Sequence, residues 1–380
     1  MRPWCGGDSA LTKVLVCAGG TGGGIYPALA AVSELQTLGL HPDDLLWIGT
    51  QGEMEEQLVP RAGIWLETIH GGPIVGVPLS AKLRNGLKLV SSVGTAYRLI
   101  GRFRPNVMLM TGGYLAVPVA LAAWLRRVPI VIYLPDVEPG SAIKAAMPLA
   151  RKVAVTTPGS AVYVPAHKME VTGYPVRADL RQALTLSRAE ALAQFDLTPK
   201  RPTLFVFGGS RGAWHINKAL MAILPQMLHH YQVIHISGTL TWSQVEANLE
   251  TLSQAERAYY RPYPYLHERM GAAFRAADLV VARAGASMLG EAPAFGLPSV
   301  LVPLTFAWRY QKVNADFLAE QDAAVCLRDE QLAAELWPTV QQLLQNPERL
   351  ATMGAAAQAL DQPQAARHLA QLLVNAATNS

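Results

Sequence analysis

The sequence predicts an α/β protein of two domains, each a parallel sheet covered by helices on both faces. Three observations carry that prediction. Glycine-rich strand-to-helix turns stand in opposite halves of the chain, Gly19-Gly20-Thr21-Gly22-Gly23-Gly24 and Gly208-Gly209-Ser210-Arg211-Gly212. Strand-like apolar runs alternate with helical patterns from end to end, the signature of parallel sheets wrapped in helices. A length of 380 residues exceeds one ordinary core and suits two.

In order, the apolar runs place strands of the first half near Lys13–Cys17, Leu45–Ile48, Trp65–Ile69, Val107–Met110, Ile130–Tyr133, Val153–Thr156 and Met169–Thr172. The second half repeats the scheme near Thr203–Phe207, Gln232–Ile236, Leu279–Ala282, Ser299–Val302 and Ala324–Cys326. Between the halves, Gly173-Tyr174-Pro175-Val176-Arg177 discourages any continuing element. The expected domains are therefore residues 1–176 and 177–362. A last helix over about 363–380, marked by Ala366, Leu369, Leu372 and Leu373, is expected to cross back to the first domain.

The glycines of each turn let the backbone bend tightly and let a ligand approach the N–H groups at a helix start, where the dipole favours an anion. They also serve plain strand–helix packing. The first turn loosely fits a dinucleotide fingerprint, yet the second strand ends Trp47-Ile48-Gly49-Thr50-Gln51 without the acid that holds a ribose. No Gly-Lys-Ser/Thr follows this first turn, so it is not the phosphate loop of nucleotide hydrolases.

Composition narrows the class. The chain is 51% hydrophobic, but no apolar run reaches the roughly 18 residues of a spanning helix. Met1 to Lys13 lacks the apolar stretch of a secretory signal, and Cys5, Cys17 and Cys326 have no metal or disulfide spacing, so a reducing cytoplasm is expected. The net charge is only +4, unevenly spread. No acid lies between Glu67 and Asp136, while Lys82, Arg84, Lys88, Arg98, Arg102, Arg104, Arg126 and Arg127 do, interleaved with apolar residues from Ile74 to Leu99. Such a segment fits a surface lying on anionic lipid, and equally an amphipathic helix with a basic solvent face. It has few aromatics and no nucleic-acid motif.

Taken together, the motifs resemble a known family. Gly19 to Gly23 with Pro27-Ala28-Leu29-Ala30, Thr111-Gly112-Gly113-Tyr114, Gly173 to Arg177, Gly208 to Ala213 and Arg283-Ala284-Gly285-Ala286 occur in the order of the MurG family. These are peptidoglycan glycosyltransferases that add N-acetylglucosamine to undecaprenyl-pyrophosphoryl-N-acetylmuramoyl-pentapeptide. Gly49-Thr50-Gln51-Gly52, Val59 to Gly63 and Glu291 through Pro298 extend the resemblance over nearly the whole chain.

The resemblance implies the GT-B architecture, two Rossmann-like domains facing across a cleft, with the sugar nucleotide in the C-terminal domain and the lipid acceptor at the N-terminal one. Thr21, Gly22 and Gly23 would then meet substrate in the first domain. In the second, Ser210 and the surrounding backbone would meet the diphosphate, and Arg177, Ala286 and Ser287 would lie at the nucleotide. Glu291 would accept from the ribose hydroxyls, Gln311 would contact the sugar, and Tyr265 to His267 would flank the uracil. Arg177 could instead pair with Asp179, and Glu291 could serve its own helix N-terminus. The implied chemistry is an inverting displacement in which uridine diphosphate leaves. Helix-start N–H groups and a cation would steady it without a metal, and no Asp-x-Asp motif is present. No cofactor is expected. The implied location is peripheral, on the cytoplasmic side of the cell membrane.

The sequence also departs from the family. The usual histidine after Gly23 is Gly24, and the usual His-Glu-Gln-Asn loop reads Tyr133-Leu134-Pro135-Asp136, followed by Val137-Glu138-Pro139-Gly140. Asp136 and Glu138 thus become the candidates for the base, with Asp136 also a candidate acceptor contact. Arg211 stands for a usual glutamine, His267 for a usually apolar residue, and Phe306 to Tyr310 for a more polar stretch. These departures keep two other readings open: a related transferase with another lipid-linked or diacylglycerol acceptor, and a nucleotide-binding scaffold with weakened catalysis.

Overall fold

A computed structural model describes residues 13–19, 22–71, 79–113, 115–209, 212–304 and 309–378; the side chains of 79–90 and 309 lie outside the described set. The chain divides into two compact units, Met1–Pro175 with Pro363–Ser380, and Val176–Gln362.

Unit 1 alternates strand and helix: β1 (Val14–Cys17), α1 (Gly22–Thr37), β2 (Leu45–Thr50), α2 (Glu55–Arg61), β3 (Trp65–Ile69), α3 (Leu79–Phe103), β4 (Val107–Met110), α4 (Ala116–Leu125), β5 (Ile130–Leu134), α5 (Ser141–Ala146), β6 (Lys152–Val155) and β7 (Met169–Val171). Its described strands form one parallel sheet in the order β3-β2-β1-β4-β5-β6-β7. Val14 pairs in register with Leu45 on one side and Val107 on the other. A strand paired on both edges and covered on both faces has no wet side, which is why Val14 to Cys17 is apolar throughout and at most 2% exposed.

Alternate residues feed opposite layers. Leu15, Met108 and Ile132 pack with Ala96 and Ile100 of α3 and Val119 of α4. Val16, Leu109 and Tyr133 pack with Ile25 and Ala28 of α1 and with Leu369 and Leu373 of the C-terminal helix Ala365–Thr378. The basic residues Arg98, Arg102 and Arg104 are exposed. Among the described residues no helix is long and apolar enough to cross a membrane.

Unit 2 repeats the plan: α6 (Ala178–Gln182), α7 (Arg188–Ala193), β8 (Thr203–Phe207), α8 (Trp214–Met227), β9 (Gln232–Ile236), α9 (Trp242–Thr251), α10 (Gln254–Arg257), β10 (Tyr260–Tyr263), α11 (Met270–Ala276), β11 (Leu279–Ala282), α12 (Glu291–Ala294), β12 (Ser299–Leu301), α13 (Arg309–Glu320), β13 (Ala324–Cys326), α14 (Leu332–Leu344) and α15 (Pro347–Ala359). Its parallel sheet runs β10-β9-β8-β11-β12-β13. Leu204 and Val206 pack with Ile216 and Leu220 of α8 and Leu336 of α14. On the other face Phe205 and Phe207 stack 4.8 Å apart, and Phe274 meets them edge-on.

One strand, β10, is absent from the sequence-based reading. Tyr260-Arg261-Pro262-Tyr263 is broken by an arginine and a proline, and it survives as a strand because it is the sheet edge with only β9 beside it. In both sheets the strand order reverses beside the first strand, between β1 and β4 and between β8 and β11. Open parallel sheets bind ligands in the crevice at the carboxyl ends of such switch-point strands, and the glycine turns stand there.

Candidate functional site

In unit 1 the site is built from backbone. Trp47 Nε1 donates to Ala18 O at 2.9 Å and pins the exit of β1. The turn then runs beside a wholly buried carboxylate: a Cβ on Gly19 would lie 2.3 Å from Glu55 Oε1, and Glu55 itself accepts from Thr50 N at 2.9 Å. The loop after β4 turns through Gly112 and Gly113 at φ +116° and +97°, and a Cβ on Gly113 would meet Gly19 O at 3.0 Å. The loops after β1 and β4 therefore touch.

Gly22, Gly23 and Gly24 form the first turn of α1, which carries no acid there. At Gly24 a Cβ would come within 2.8 Å of Thr111 Oγ1, a buried hydroxyl without a hydrogen-bond partner among the described residues. Here a threonine hydroxyl takes the room that a side chain at position 24 would need.

The loop after β5 holds the two candidate bases in unlike settings. Tyr133 Oη and Thr156 Oγ1 lie 2.8 Å apart, Thr156 donates to Pro135 O at 2.8 Å, and Ser160 donates to Val137 O at 2.8 Å, so the loop is fastened from β6 onward. Glu138 is 2% exposed and accepts from Lys144 Nζ of α5 at 2.8 Å. Asp136, at the carboxyl end of β5, stays partly exposed.

In unit 2 the site is built from side chains as well. Gly209 and Gly212 sit at φ +88° and +86°, and α8 begins after Ala213 with no acid in its first turn. Arg177 Nη2 lies 3.3 Å from Asp179 Oδ2, the pairing weighed above. Arg177 also acts on Glu291, the first residue of α12. Burial pushes the Glu291 carboxyl up, while Arg177 and a hydrogen bond from Ser287 pull it back. Arg177, Ser287 and Glu291 are thus one electrostatic group, with the buried Ala286 on the same loop.

Gln311 Oε1 accepts from Leu304 N at 3.1 Å, fixing its amide at the start of α13. Three residues on, the fully buried Asn314 donates to Ala284 O at 3.1 Å and ties α13 to the loop that carries Ser287. Asn314 escaped the sequence reading, although its spacing from Gln311 on one helix face was the available signal. Arg283 is an anchor: it reaches Asp329 Oδ1 at 2.5 Å and Val302 O at 3.2 Å, and His215 bonds the same carboxylate. His267 is exposed, its ring 4.6 Å from Tyr265, on the loop that runs into α11. Thr21, Ser210, Arg211 and the stretch 305–308 lie outside the described residues. Among the described residues no cluster of His, Cys, Asp or Glu has metal-binding geometry.

Comparison with known proteins joins the two halves. The Glycosyltransferase family 28 N-terminal domain matches residues 14–155, and the Glycosyltransferase family 28 C-terminal domain matches 203–371. A protein of a Roseiflexus species, a UDP-N-acetylglucosamine--N-acetylmuramyl-(pentapeptide) pyrophosphoryl-undecaprenol N-acetylglucosamine transferase, is 37% identical over 95% of this chain and 94% of its own. The protein of the same name from Halalkalibacterium halodurans is 34% identical over 95% and 98%. The crystal structure of Acinetobacter baumannii MurG superposes with a TM-score of 0.74 at 26% identity, over 96% of this chain and 99% of that one. Two doubly wound units with glycine turns at both switch points, matched from end to end by these relatives, place the chain in glycosyltransferase family 28, within its MurG family.

Proposed function

We propose that this glycosyltransferase moves N-acetylglucosamine from UDP-N-acetylglucosamine to undecaprenyl-pyrophosphoryl-N-acetylmuramoyl-pentapeptide, the step of peptidoglycan synthesis that makes lipid II. The observation that carries the reading is the near full-length identity to relatives of that name, 37% and 34%, together with the Arg177, Ser287 and Glu291 group of unit 2.

Unit 2 takes the donor. The start of α8 offers backbone N–H groups to the diphosphate, whose negative charge grows as it leaves. Glu291 takes the ribose hydroxyls, Ser287 holds that carboxylate, and Gln311, already oriented through Leu304 N, contacts the sugar. Positive field comes from the helix start and Arg177, so the reading needs no metal.

Unit 1 takes the acceptor at Gly22 and Gly23 and the loops after β4 and β5. Of the two carboxylates, Asp136 is the better base, because Glu138 is buried in an ion pair with Lys144. Attachment to the cytoplasmic face of the membrane is peripheral, through α3 and the end of α4. Trp124 and Leu125 are about half exposed there, beside the exposed Arg126 and Arg127, and Arg126 lies 3.8 Å over the Tyr97 ring. Each basic residue at an anionic bilayer contributes about 1 kcal/mol, weakened by salt.

The test is transfer of label from UDP-N-acetylglucosamine into a panel of lipid acceptors. Label in the muramoyl-pentapeptide lipid supports the reading. Label only in a different lipid reassigns the acceptor, and none in any lipid removes the enzymatic reading.

A further inference from the structure

Asn217, His235 and Tyr260 form a line of enclosed polar side chains in unit 2, contributed by α8, β9 and β10 and at most 2% exposed. Their bonding pattern follows by elimination. Asn217 Nδ2 spends its two hydrogens on Ser237 O and Thr241 Oγ1, each at 2.8 Å. Its Oδ1 is therefore the acceptor for His235 Nε2 at 3.0 Å. Nε2 must carry the ring proton, and Nδ1 accepts the Tyr260 hydroxyl at 2.7 Å. Burial pushes the His235 imidazole down to about 3, so the ring stays neutral and its tautomer stays fixed.

The line ends on the loop between β9 and α9. Thr241 Oγ1 donates to Ser237 O at 2.7 Å, so that carbonyl receives both the asparagine amide and the threonine hydroxyl. It is also the surface on which the glycine turn rests. A Cβ on Gly212 would lie 2.1 Å from Ser237 O and 2.9 Å from Thr241 Oγ1. The backbone at Gly212 can sit no lower than that carbonyl allows, and the carbonyl sits where Asn217 holds it. Apolar side chains would fill the same space. A satisfied polar chain instead sets one geometry, because each partner has a single way to bond.

We propose that Asn217, His235 and Tyr260 are positioning residues for the donor diphosphate: they set the height of the loop beneath Gly212 and hence the aim of the backbone N–H groups at the start of α8. The inference rests on the reading of unit 2 as the donor unit. Its consequence is selective, since the phosphates are read by the turn and the nucleoside by other residues.

The experiment is calorimetric titration of the full chain with UDP and, separately, with uridine. Tyr260→Phe keeps the ring and removes the hydroxyl, leaving His235 Nδ1 without its donor; the second variant, Asn217→Ser, lets go of the loop directly. Both are expected to lower UDP affinity by about tenfold while uridine affinity stays within about twofold. In protein labelled with ¹⁵N-histidine, one imidazole of the parent is expected to keep neutral Nε2–H signals from about pH 5 to about pH 8 and to shift them in Tyr260→Phe. Equal loss of UDP and uridine binding, or unchanged UDP binding in both variants, overturns the inference. A parent that binds uridine as tightly as UDP overturns the donor-turn reading itself, and the inference with it.

Discussion

The two glycine turns begin from the same arrangement and are completed by different means. In unit 2, side chains are already committed to one another: Arg177 with Asp179 and Glu291, Ser287 with Glu291, Gln311 with the loop after β12. After β1 the work falls to backbone. Gly19 and Gly113 meet without side chains, and Gly24 leaves its space to Thr111. A nucleotide is a small rigid ligand that rewards placed donors and acceptors. On the proposed reading a long lipid-linked acceptor comes to unit 1, where backbone N–H groups and a loop carboxylate would suffice for the reacting end. The difference predicts that single substitutions near β8 change affinity and that those near β5 change rate.

The largest effect is expected at Asp136. A general base contributes on the order of 100-fold or more, so Asp136→Asn should lower turnover by about that factor with UDP affinity unchanged. Glu138→Gln should act differently. It leaves Lys144 beside an amide and lowers the melting temperature, with a smaller loss of turnover. If steady-state kinetics show the larger loss in Glu138→Gln, the roles of the two carboxylates are reversed.

Next comes Glu291, where binding and stability should move in opposite directions. Its folded-state pKa is raised, chiefly by burial. The folded protein therefore holds that proton more tightly than the unfolded chain does. This contribution to stability is fully present below the ordinary carboxylate pKa and is lost as pH rises through the raised one. An ionised Glu291 therefore works against folding, while the proposed ribose contact needs the ionised form. Glu291→Gln should weaken UDP binding by about tenfold and leave the melting temperature equal or higher. UDP affinity of the parent should also fall on acidification at a pH above the usual carboxylate range. A variant that binds UDP like the parent removes Glu291 from the donor site.

A smaller effect is expected at the proposed membrane-facing surface. Flotation with anionic vesicles should decline with salt, and replacing Arg126 and Arg127 by Gln should weaken it by about 1 kcal/mol for each charge. Replacing Trp124 and Leu125 by Ser should weaken it without changing the salt response. Equal flotation on neutral and anionic vesicles would remove the electrostatic part of this reading.

Much of this was legible in the sequence, for reasons tied to particular residues. Central strands such as Val14 to Cys17 are written as unbroken apolar runs because they are buried on every side, and Gly113 and Gly212 are demanded where a Cβ would meet the backbone of another loop. The edge strand Tyr260 to Tyr263 was not legible, since an edge relaxes the demand for apolar and hydrogen-bonding residues. Nor were Asn314, His235 and Glu55, whose importance lies in partners far away in the chain. A polar residue inside an apolar run hints at such a role without naming its partner. The unlike settings of Asp136 and Glu138, two residues apart in the loop, were equally invisible, because Lys144 settles them only in three dimensions.

The smallest effect concerns Gly24, and it tests whether the missing side chain is a vacancy or a fitted contact. Glycine in a helix ordinarily costs about 0.5–1 kcal/mol relative to alanine, so Gly24→Ala should stabilise if nothing stands in the way. Thr111 Oγ1 does stand in the way, 2.8 Å from the new methyl, and its hydroxyl would have to turn within a buried site. The two terms oppose each other, and Gly24→Ala alone should be neutral to slightly destabilising. In a Thr111→Ala background the obstruction is gone, and the same change should now stabilise by about 0.5 kcal/mol. The coupling between positions 24 and 111, read from a double-mutant cycle of denaturant midpoints, is thus expected to be favourable to the double alanine. Strict additivity would mean that the hydroxyl yields freely. Position 24 could then accept a larger side chain, and its glycine would owe nothing to Thr111.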